Sequence, residues 1–96
     1  MSASLSTHVL DVERGHPARG VRIELWQDGL VAAGETDNDG RIAELAADLD
    51  PGTYRLLFRP ESPFFRSVAV ELALDEGHYH VPLLVSSYSC TTYRGS

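Results

Sequence analysis

The chain reads Val21-Arg22-Ile23-Glu24-Leu25-Trp26 and then Gln27-Asp28-Gly29-Leu30-Val31. The apolar residues at positions 21, 23 and 25 alternate with Arg22, Glu24 and Trp26, which is the period-two pattern of a strand with one buried face. Asp28-Gly29 then supplies the backbone freedom of a tight turn. This stretch therefore predicts a β-hairpin whose first strand turns its odd-numbered residues toward the core.

Similar alternation recurs along the rest of the chain, whereas helical periodicity is nearly absent. Asp37–Gly40 marks a second turn, and Pro51-Gly52 opens another alternating run. About eight strands with turns every ~8 to 12 residues predict an all-β sandwich or barrel. Beyond the first hairpin, the clearest predicted strands are the run from Tyr54 to Arg59 and those at Val68–Leu74, Tyr79–Val85 and Tyr88–Arg94.

Two segments are less regular. Leu45–Leu49 has helix-friendly residues, but five residues followed by Asp50-Pro51 cannot sustain an isolated helix, so a strand end and a loop are predicted. Pro82 interrupts a strand pattern and cannot donate a ladder hydrogen bond, which predicts a bulge or a sheet edge there.

The totals describe a small folded domain. The 96 residues are 43% hydrophobic with a formal net charge of −6, and all eight basic residues are arginine. We expect an N-terminal tail at residues 1–4 and a single domain at residues 5–96. The acidic balance without a basic run argues against nucleic acid as a partner, because that binding needs Lys and Arg against phosphates.

The lone cysteine bears on the cellular compartment. Cys90 cannot form a disulfide within the chain, so a reducing cytoplasm is the expected location. The N-terminal residues carry no basic and apolar signal pattern, and no window approaches the ~18 apolar residues of a membrane span. We therefore expect no membrane association.

Histidines are the candidates for chemistry. His78 and His80 lie two apart on a predicted strand and so share one face, with Tyr79 on the other. They could form a site, or they could be polar residues on the wet face of a sandwich. A metal site with His8 is a third possibility, but no Cys or carboxylate falls at the spacing of a known zinc motif. No metal is expected.

Two other motifs do not carry catalysis. Asp37–Gly40 is not a calcium loop, because alignment on its glycine puts Ala46 where the bidentate glutamate should be. A serine nucleophile is disfavoured because the chain has no Gly-x-Ser-x-Gly elbow.

Four stretches taken together resemble the 5-hydroxyisourate hydrolases, a family of transthyretin-like proteins. They are Leu5–Asp11 (LSTHVLD), Thr36–Arg41 (TDNDGR), His78–Leu84 (HYHVPLL) and Thr92–Ser96 (TYRGS). The resemblance spans essentially the whole chain. The first and last motifs are the specific ones, since the Tyr-Arg-Gly-Ser ending tells this family from the transthyretin hormone carriers.

The resemblance implies a transthyretin-like Greek-key β-sandwich of two antiparallel sheets. It also implies a homotetramer with sites at a subunit interface, and no cofactor or metal. The reaction implied is hydrolytic ring opening of 5-hydroxyisourate to 2-oxo-4-hydroxy-4-carboxy-5-ureidoimidazoline in urate breakdown. Carried onto this sequence, the catalytic residues would be His8, Arg41 and His80, and the substrate-binding residues would be Tyr93, Arg94, Gly95 and Ser96.

The residues suit this chemistry without assigning every role. An imidazole near neutral pKa can take a proton from water, and Arg41 can hold substrate oxygens with its forked donors. Which of His8 and His80 is the base stays open. The alternative function is a non-catalytic transthyretin-like ligand-binding module, although a carrier has no need of His8, His80 and Arg41 together.

The chain departs from the family in two places. Family members usually carry a short helix in the connection that is here reduced to Arg59–Ser67, whose two prolines make a helix improbable. The usual helix is therefore expected to be missing. Ser87–Thr91 also differs from the family's usual Pro-Tyr-Gly-Tyr-Ser, and because this segment is expected to form a subunit contact, the oligomer could differ.

Overall fold

The computed structural model describes residues 2–95, which form two β-sheets packed face to face. Sheet I contains β2, β1, β8 and β9 in that order, with β5 also pairing with β1; sheet II has the order β4-β3-β6-β7. The strands are β1 Ala3–Asp11, β2 His16–Pro17, β3 Arg22–Trp26, β4 Leu30–Glu35, β5 Arg41–Leu49, β6 Gly52–Arg59, β7 Val68–Leu74, β8 Gly77–Val85 and β9 Cys90–Thr92.

The predicted hairpin is confirmed and lies in sheet II. Strands β3 and β4 pair antiparallel around Asp28-Gly29, with the Gln27 amide donating to the Gly29 carbonyl at 3.0 Å. Ile23 and Leu25 are fully buried, as the alternation predicts. The predicted all-β sandwich of two sheets is confirmed, and residues 2–95 contain no helix, so the missing helix is confirmed for that range as well.

Sheet I is antiparallel except for its central pair. Strands β1 and β8 run parallel in an unbroken register from Ala3 opposite Gly77 to Asp11 opposite Val85. Parallel pairing of segments more than 70 residues apart leaves no local mark in the sequence. This pairing places β1 beside β8, the last long strand, and so determines which residues lie next to the histidines of both strands.

The core lies between the two sheets. It is built by the inward residues of both sheets, and the largest fully buried side chains belong to strands β1, β3, β6 and β8. Burial of these apolar surfaces contributes roughly 25 cal/mol per Å². The sheets therefore leave their outer faces for polar residues. Core members from the four strands are Leu5, Val9, Ile23, Leu25, Leu56, Phe58 and Leu83.

Three local predictions are wrong, and the first two concern Leu45–Leu49 and the N-terminal segment. Leu45–Leu49 is not a strand end and loop but the second half of β5, which pairs with β1 through two register shifts and buries Leu45 and Leu49. Core contacts here outweigh the helix-friendly composition. The N-terminal strand begins at Ala3, inside the segment expected to be a tail, and Ala3 is buried.

Pro82 is neither at an edge nor at a bulge. It lies in the central strand β8, whose register with β1 is continuous. On the other side, pairing with the chain end is interrupted between Leu83–Thr92 and the isolated bridge His80–Gly95. Because Pro82 has no amide hydrogen, it opens the ladder at this point, and the Thr92 hydroxyl donates to the Pro82 carbonyl instead at 2.8 Å.

Candidate functional site

The outer face of sheet I brings together the three predicted catalytic residues. Residues directly opposite each other in neighbouring strands turn their side chains to the same face. Strand β5 sets Arg41 opposite His8, and β8 sets His80 opposite Ser6, two residues before His8 on β1. Strands β5, β1 and β8 thus contribute one residue each to a common patch. His8 and His80 are half-buried and Arg41 is exposed.

The Asp37–Gly40 turn positions the β5 side of the patch. The Asp37 carboxylate accepts the amides of Asp39 and Arg41 at 2.9 Å each. The hydrogen bond from the Arg41 amide is the main reason why the pKa of Asp37 is lowered. Gly40 adopts a positive φ of 73°, and any Cβ there would collide with the Val9 carbonyl. The turn is thus held against β1 and presents Arg41 beside His8.

The same turn orients His8. Its Nε2 lies 2.9 Å from the Asp39 carbonyl oxygen. Because a carbonyl oxygen only accepts, the hydrogen of a neutral His8 lies on Nε2 and the lone pair on Nδ1. His8 therefore presents its unprotonated nitrogen away from the turn.

His80 is held by Ser6 and is biased toward its neutral form. Its Nδ1 lies 2.7 Å from the Ser6 hydroxyl, and Nε2 has no hydrogen-bond partner among the described residues. Burial lowers the pKa of His80 below the ordinary 6.5, and the positive charge of Arg41, together with that of His8 and His78 when they are protonated, lowers it further. A neutral imidazole with one free nitrogen is the form that can accept a proton.

The chain end lies across His80. The Gly95 amide donates to the His80 carbonyl at 2.6 Å, forming the isolated bridge between them. A Cβ on Gly95 would come within 2.8 Å of the His80 ring carbon Cδ2. Only glycine therefore allows the tail to pass this close to the imidazole.

The other predicted tail residues are placed differently from one another. The Arg94 guanidinium stacks on the Tyr79 ring, 4.3 Å from its centroid, so it lies on the face of β8 opposite His80. Tyr93 is 52% exposed and reaches into a cavity of about 480 Å³ beside β7. Ser96 lies outside the described residues. Of the predicted tail, Gly95 is the residue that the structure brings to His80.

Two residues at the site, Ser6 and Asp39, were not predicted, and His78 was considered only as a possible partner of His80. Ser6 bridges His78 and His80, His78 bridges Ser4 and Ser6, and Asp39 orients His8 through its carbonyl. The common face of His78 and His80 could be predicted from their spacing. The contact with Ser6 could not, because it depends on the parallel register of β1 and β8.

Residues 2–95 contain no group of three or more His, Cys, Asp and Glu side chains arranged to hold a metal ion. Within the same range, no helix is long and apolar enough to cross a membrane.

Fold and site together define a transthyretin-like β-sandwich whose outer sheet face carries paired histidines and an arginine. The family model described as HIUase/Transthyretin matches residues 5–95, and the chain belongs to this family. It is 40% identical to the 5-hydroxyisourate hydrolase of Pseudomonas aeruginosa, over 96% of this chain and 90% of the relative.

Solved structures agree with this assignment. The 5-hydroxyisourate hydrolase of Klebsiella pneumoniae superimposes with a TM-score of 0.90 at 34% identity, covering 98% of this chain and 99% of that one. Sea bream transthyretin in complex with thyroxine also superimposes, with a TM-score of 0.83 at 30% identity over 95% of this chain and 93% of that one. The fold by itself thus does not separate hydrolases from hormone carriers.

Proposed function

We propose that this chain is a hydrolase that opens the ring of 5-hydroxyisourate to 2-oxo-4-hydroxy-4-carboxy-5-ureidoimidazoline in urate breakdown. The observation that carries the proposal is the meeting of His8, Arg41 and His80 on one sheet face, with the chain end at His80. Several hydrolases of this substrate are similar to the chain over nearly its full length.

His80 acts as the general base. Its lowered pKa keeps it neutral at physiological pH, and its Nε2 is free to take a proton from water. The water oxygen then bonds to the ring carbonyl carbon, the C–N bond breaks, and the ring nitrogen takes the proton that His80 had removed from water. A positioned base of this kind contributes about 10²- to 10⁴-fold to the rate.

Arg41 and His8 bind and polarise the substrate. The forked donors of Arg41 hold the substrate oxygens and stabilise the negative charge that develops on the attacked carbonyl. The Nδ1 lone pair of His8 accepts a hydrogen bond from a ring N–H, because its Nε2 hydrogen is already donated to Asp39. The two residues thus orient the ring for attack by the water at His80.

The tail and a second subunit complete the cleft. Gly95, which lies at His80, offers backbone groups to the purine-like edge of the substrate, and Tyr93 and Ser96 add hydroxyls. Arg94, which stacks on Tyr79, anchors this substrate-binding tail. The half-buried patch on sheet I is open on its outer side, so a homotetramer that places these faces together would enclose the substrate and exclude water. The lone Cys90 fits a protein of the reducing cytoplasm.

The experiment generates 5-hydroxyisourate in place from urate and urate oxidase and follows its decay with and without the purified protein. The protein is expected to accelerate decay. His80→Asn should lose about 10²- to 10⁴-fold of this acceleration while its circular dichroism is unchanged. His16→Asn is the matched control. His16 is exposed in the short strand β2, and among the described residues its side chain hydrogen-bonds only the Pro17 carbonyl. Decay equal to that without protein would refute the proposal, and saturable binding without turnover would instead support a non-catalytic module.

A further inference from the structure

A chain of side-chain hydrogen bonds leads from His80 to the solvent. Nδ1 of His80 lies 2.7 Å from the Ser6 hydroxyl oxygen, which lies 2.8 Å from Nε2 of His78. Nδ1 of His78 lies 2.7 Å from the Ser4 hydroxyl. Ser6 is buried, His80 is half-buried and His78 is exposed. This series of hydrogen bonds therefore runs from the interior of the site to its surface.

A single proton on Ser6 couples the two rings. A hydroxyl has one hydrogen to donate, so Ser6 can donate to only one of the two imidazoles at a time. If Nε2 of His80 is to be the base, Nδ1 of His80 carries the hydrogen and donates it to Ser6. Ser6 then donates to Nε2 of His78, and Nδ1 of His78 donates to Ser4. Every contact in the chain is satisfied in this arrangement.

We propose that Ser6 and His78 fix the resting tautomer of His80 and form a proton relay that moves the positive charge from His80 to the exposed His78 while the ring opens. This inference rests on the proposed function. When His80 becomes imidazolium, its Nδ1 proton passes to the Ser6 oxygen while the Ser6 proton passes to Nε2 of His78. Ser6 ends as a hydroxyl, His80 ends neutral with its hydrogen on Nε2, and His78 holds the positive charge. When the C–N bond breaks, the ring nitrogen takes the Nε2 hydrogen of His80 and the two transfers run in reverse, which restores the starting tautomer.

The surroundings of His80 favour this transfer. The charged and titratable groups that face His80 are Arg41 on β5, His8 on β1 and His78 on β8, and all three disfavour a lasting positive charge on it. Transfer to the exposed His78 relieves this repulsion.

The test is His78→Asn, because asparagine can keep a hydrogen bond to Ser6 but cannot carry a proton. Decay of 5-hydroxyisourate is measured in a non-transferring buffer with increasing imidazole, and the enzyme-free decay is subtracted at each concentration. We expect kcat to fall roughly tenfold in His78→Asn with KM little changed, and imidazole to restore most of it. The wild type and the control His16→Asn should show no dependence on imidazole.

Ser6 variants test the inner link. Ser6→Ala should lower kcat as His78→Asn does, but imidazole should not rescue it, since the buried link is not replaced by a solute. Ser6→Thr keeps the hydroxyl and should retain activity. If circular dichroism shows that the Ser6 variants do not fold, the kinetics of His78→Asn by themselves test the relay.

The two proposals fail differently. A His78→Asn variant with wild-type kcat and no response to imidazole overturns the relay while leaving the hydrolase intact. If the wild-type protein does not accelerate the decay of 5-hydroxyisourate, the proposed hydrolase activity itself is refuted.

Discussion

The outer faces of the two sheets both carry charged and polar residues, but the charges are arranged differently. On sheet II, Glu24 is buried to 6% exposure and accepts Arg22 Nε at 2.7 Å and Trp26 Nε1 at 3.0 Å, with Arg59 3.7 Å away. On sheet I, the charged neighbours of His80 are Arg41, His8 and His78, and all three are cationic when ionised.

The difference lies in charge compensation. On sheet II, the arginines neutralise a carboxylate and the hydrogen bonds from Arg22 and Trp26 lower the pKa of Glu24, which is an arrangement that holds a surface together. On sheet I, Arg41 forms no salt bridge within residues 2–95. Uncompensated donors beside a neutral imidazole are suited to an incoming oxygen-rich ligand. We infer that the polar face of sheet II stabilises the fold, whereas that of sheet I is suited to bind the proposed substrate.

The largest expected effect is the difference between two single variants, each of which removes an arginine from one face. Arg41→Ala should lower kcat/KM by about 10²- to 10³-fold, as loss of a donor to a developing oxyanion does. Arg59→Ala on sheet II should leave kcat/KM within about twofold, because its partner Glu24 keeps two other donors. Steady-state kinetics on both variants measures this, and equal losses would erase the distinction between the faces.

A smaller effect is expected from adding one methyl group to a glycine. Gly95→Ala places a Cβ 2.8 Å from Cδ2 of His80 and should push the tail off the imidazole, lowering kcat/KM by about 10- to 100-fold. Gly29→Ala in the sheet II hairpin meets nothing within 4 Å and serves as the matched control. The proposed role of the tail would be wrong if both variants matched the wild type.

The two faces also respond to different pH ranges. Burial and neighbouring charge lower the pKa of His80 below 6.5, so the neutral base persists below that value and activity should fall with a midpoint under pH 6.5. The pKa of Glu24 is lowered below 4.5, so its contribution to stability is complete above 4.5 and is lost as pH falls through the lowered value. A kcat/KM profile with an acid midpoint at or above 6.5 would contradict the assignment of His80.

The smallest effect is expected for Glu24→Gln. The amide keeps the shape but removes the charge that faces Arg22 and Arg59, so the melting temperature should fall by a few degrees, as for other losses of a hydrogen-bonded ion pair. Activity should stay within about twofold, since Glu24 lies on the other sheet. Thermal unfolding followed by circular dichroism, with kinetics at 25 °C, checks both statements. A large loss of activity would mean that the faces are coupled.

Local patterns predicted much of the fold. The alternation at residues 21–25, the Asp28-Gly29 turn and the shared face of His78 and His80 all follow from the side-chain period of a strand. The same rules were wrong at Leu45–Leu49 and at Pro82. In the first case, packing of Leu45 and Leu49 into the core outweighs composition. In the second, Pro82 lies in a central strand because its missing amide hydrogen interrupts only the short pairing with the chain end, while the register with β1 stays continuous.

The candidate site could be predicted only as a set of residues. The resemblance names His8, Arg41 and His80, but it does not reveal that Ser6 joins His78 to His80 or that Arg94 stacks on Tyr79, away from the histidines. These contacts depend on which strands become neighbours. No local rule predicts the partner of a strand 70 residues away.

The sequence by itself determined that the chain forms short strands with one apolar side, and that the remaining side carries histidine, serine and arginine. Such periodicity arises from backbone geometry, which acts between near neighbours. The tertiary structure alone decided that β1 and β8 lie parallel, that Ser6 therefore touches two imidazoles, and that the tail crosses His80. Those arrangements result from burying both sheets against one core, and the free energy of that burial belongs to the whole chain and not to any one segment.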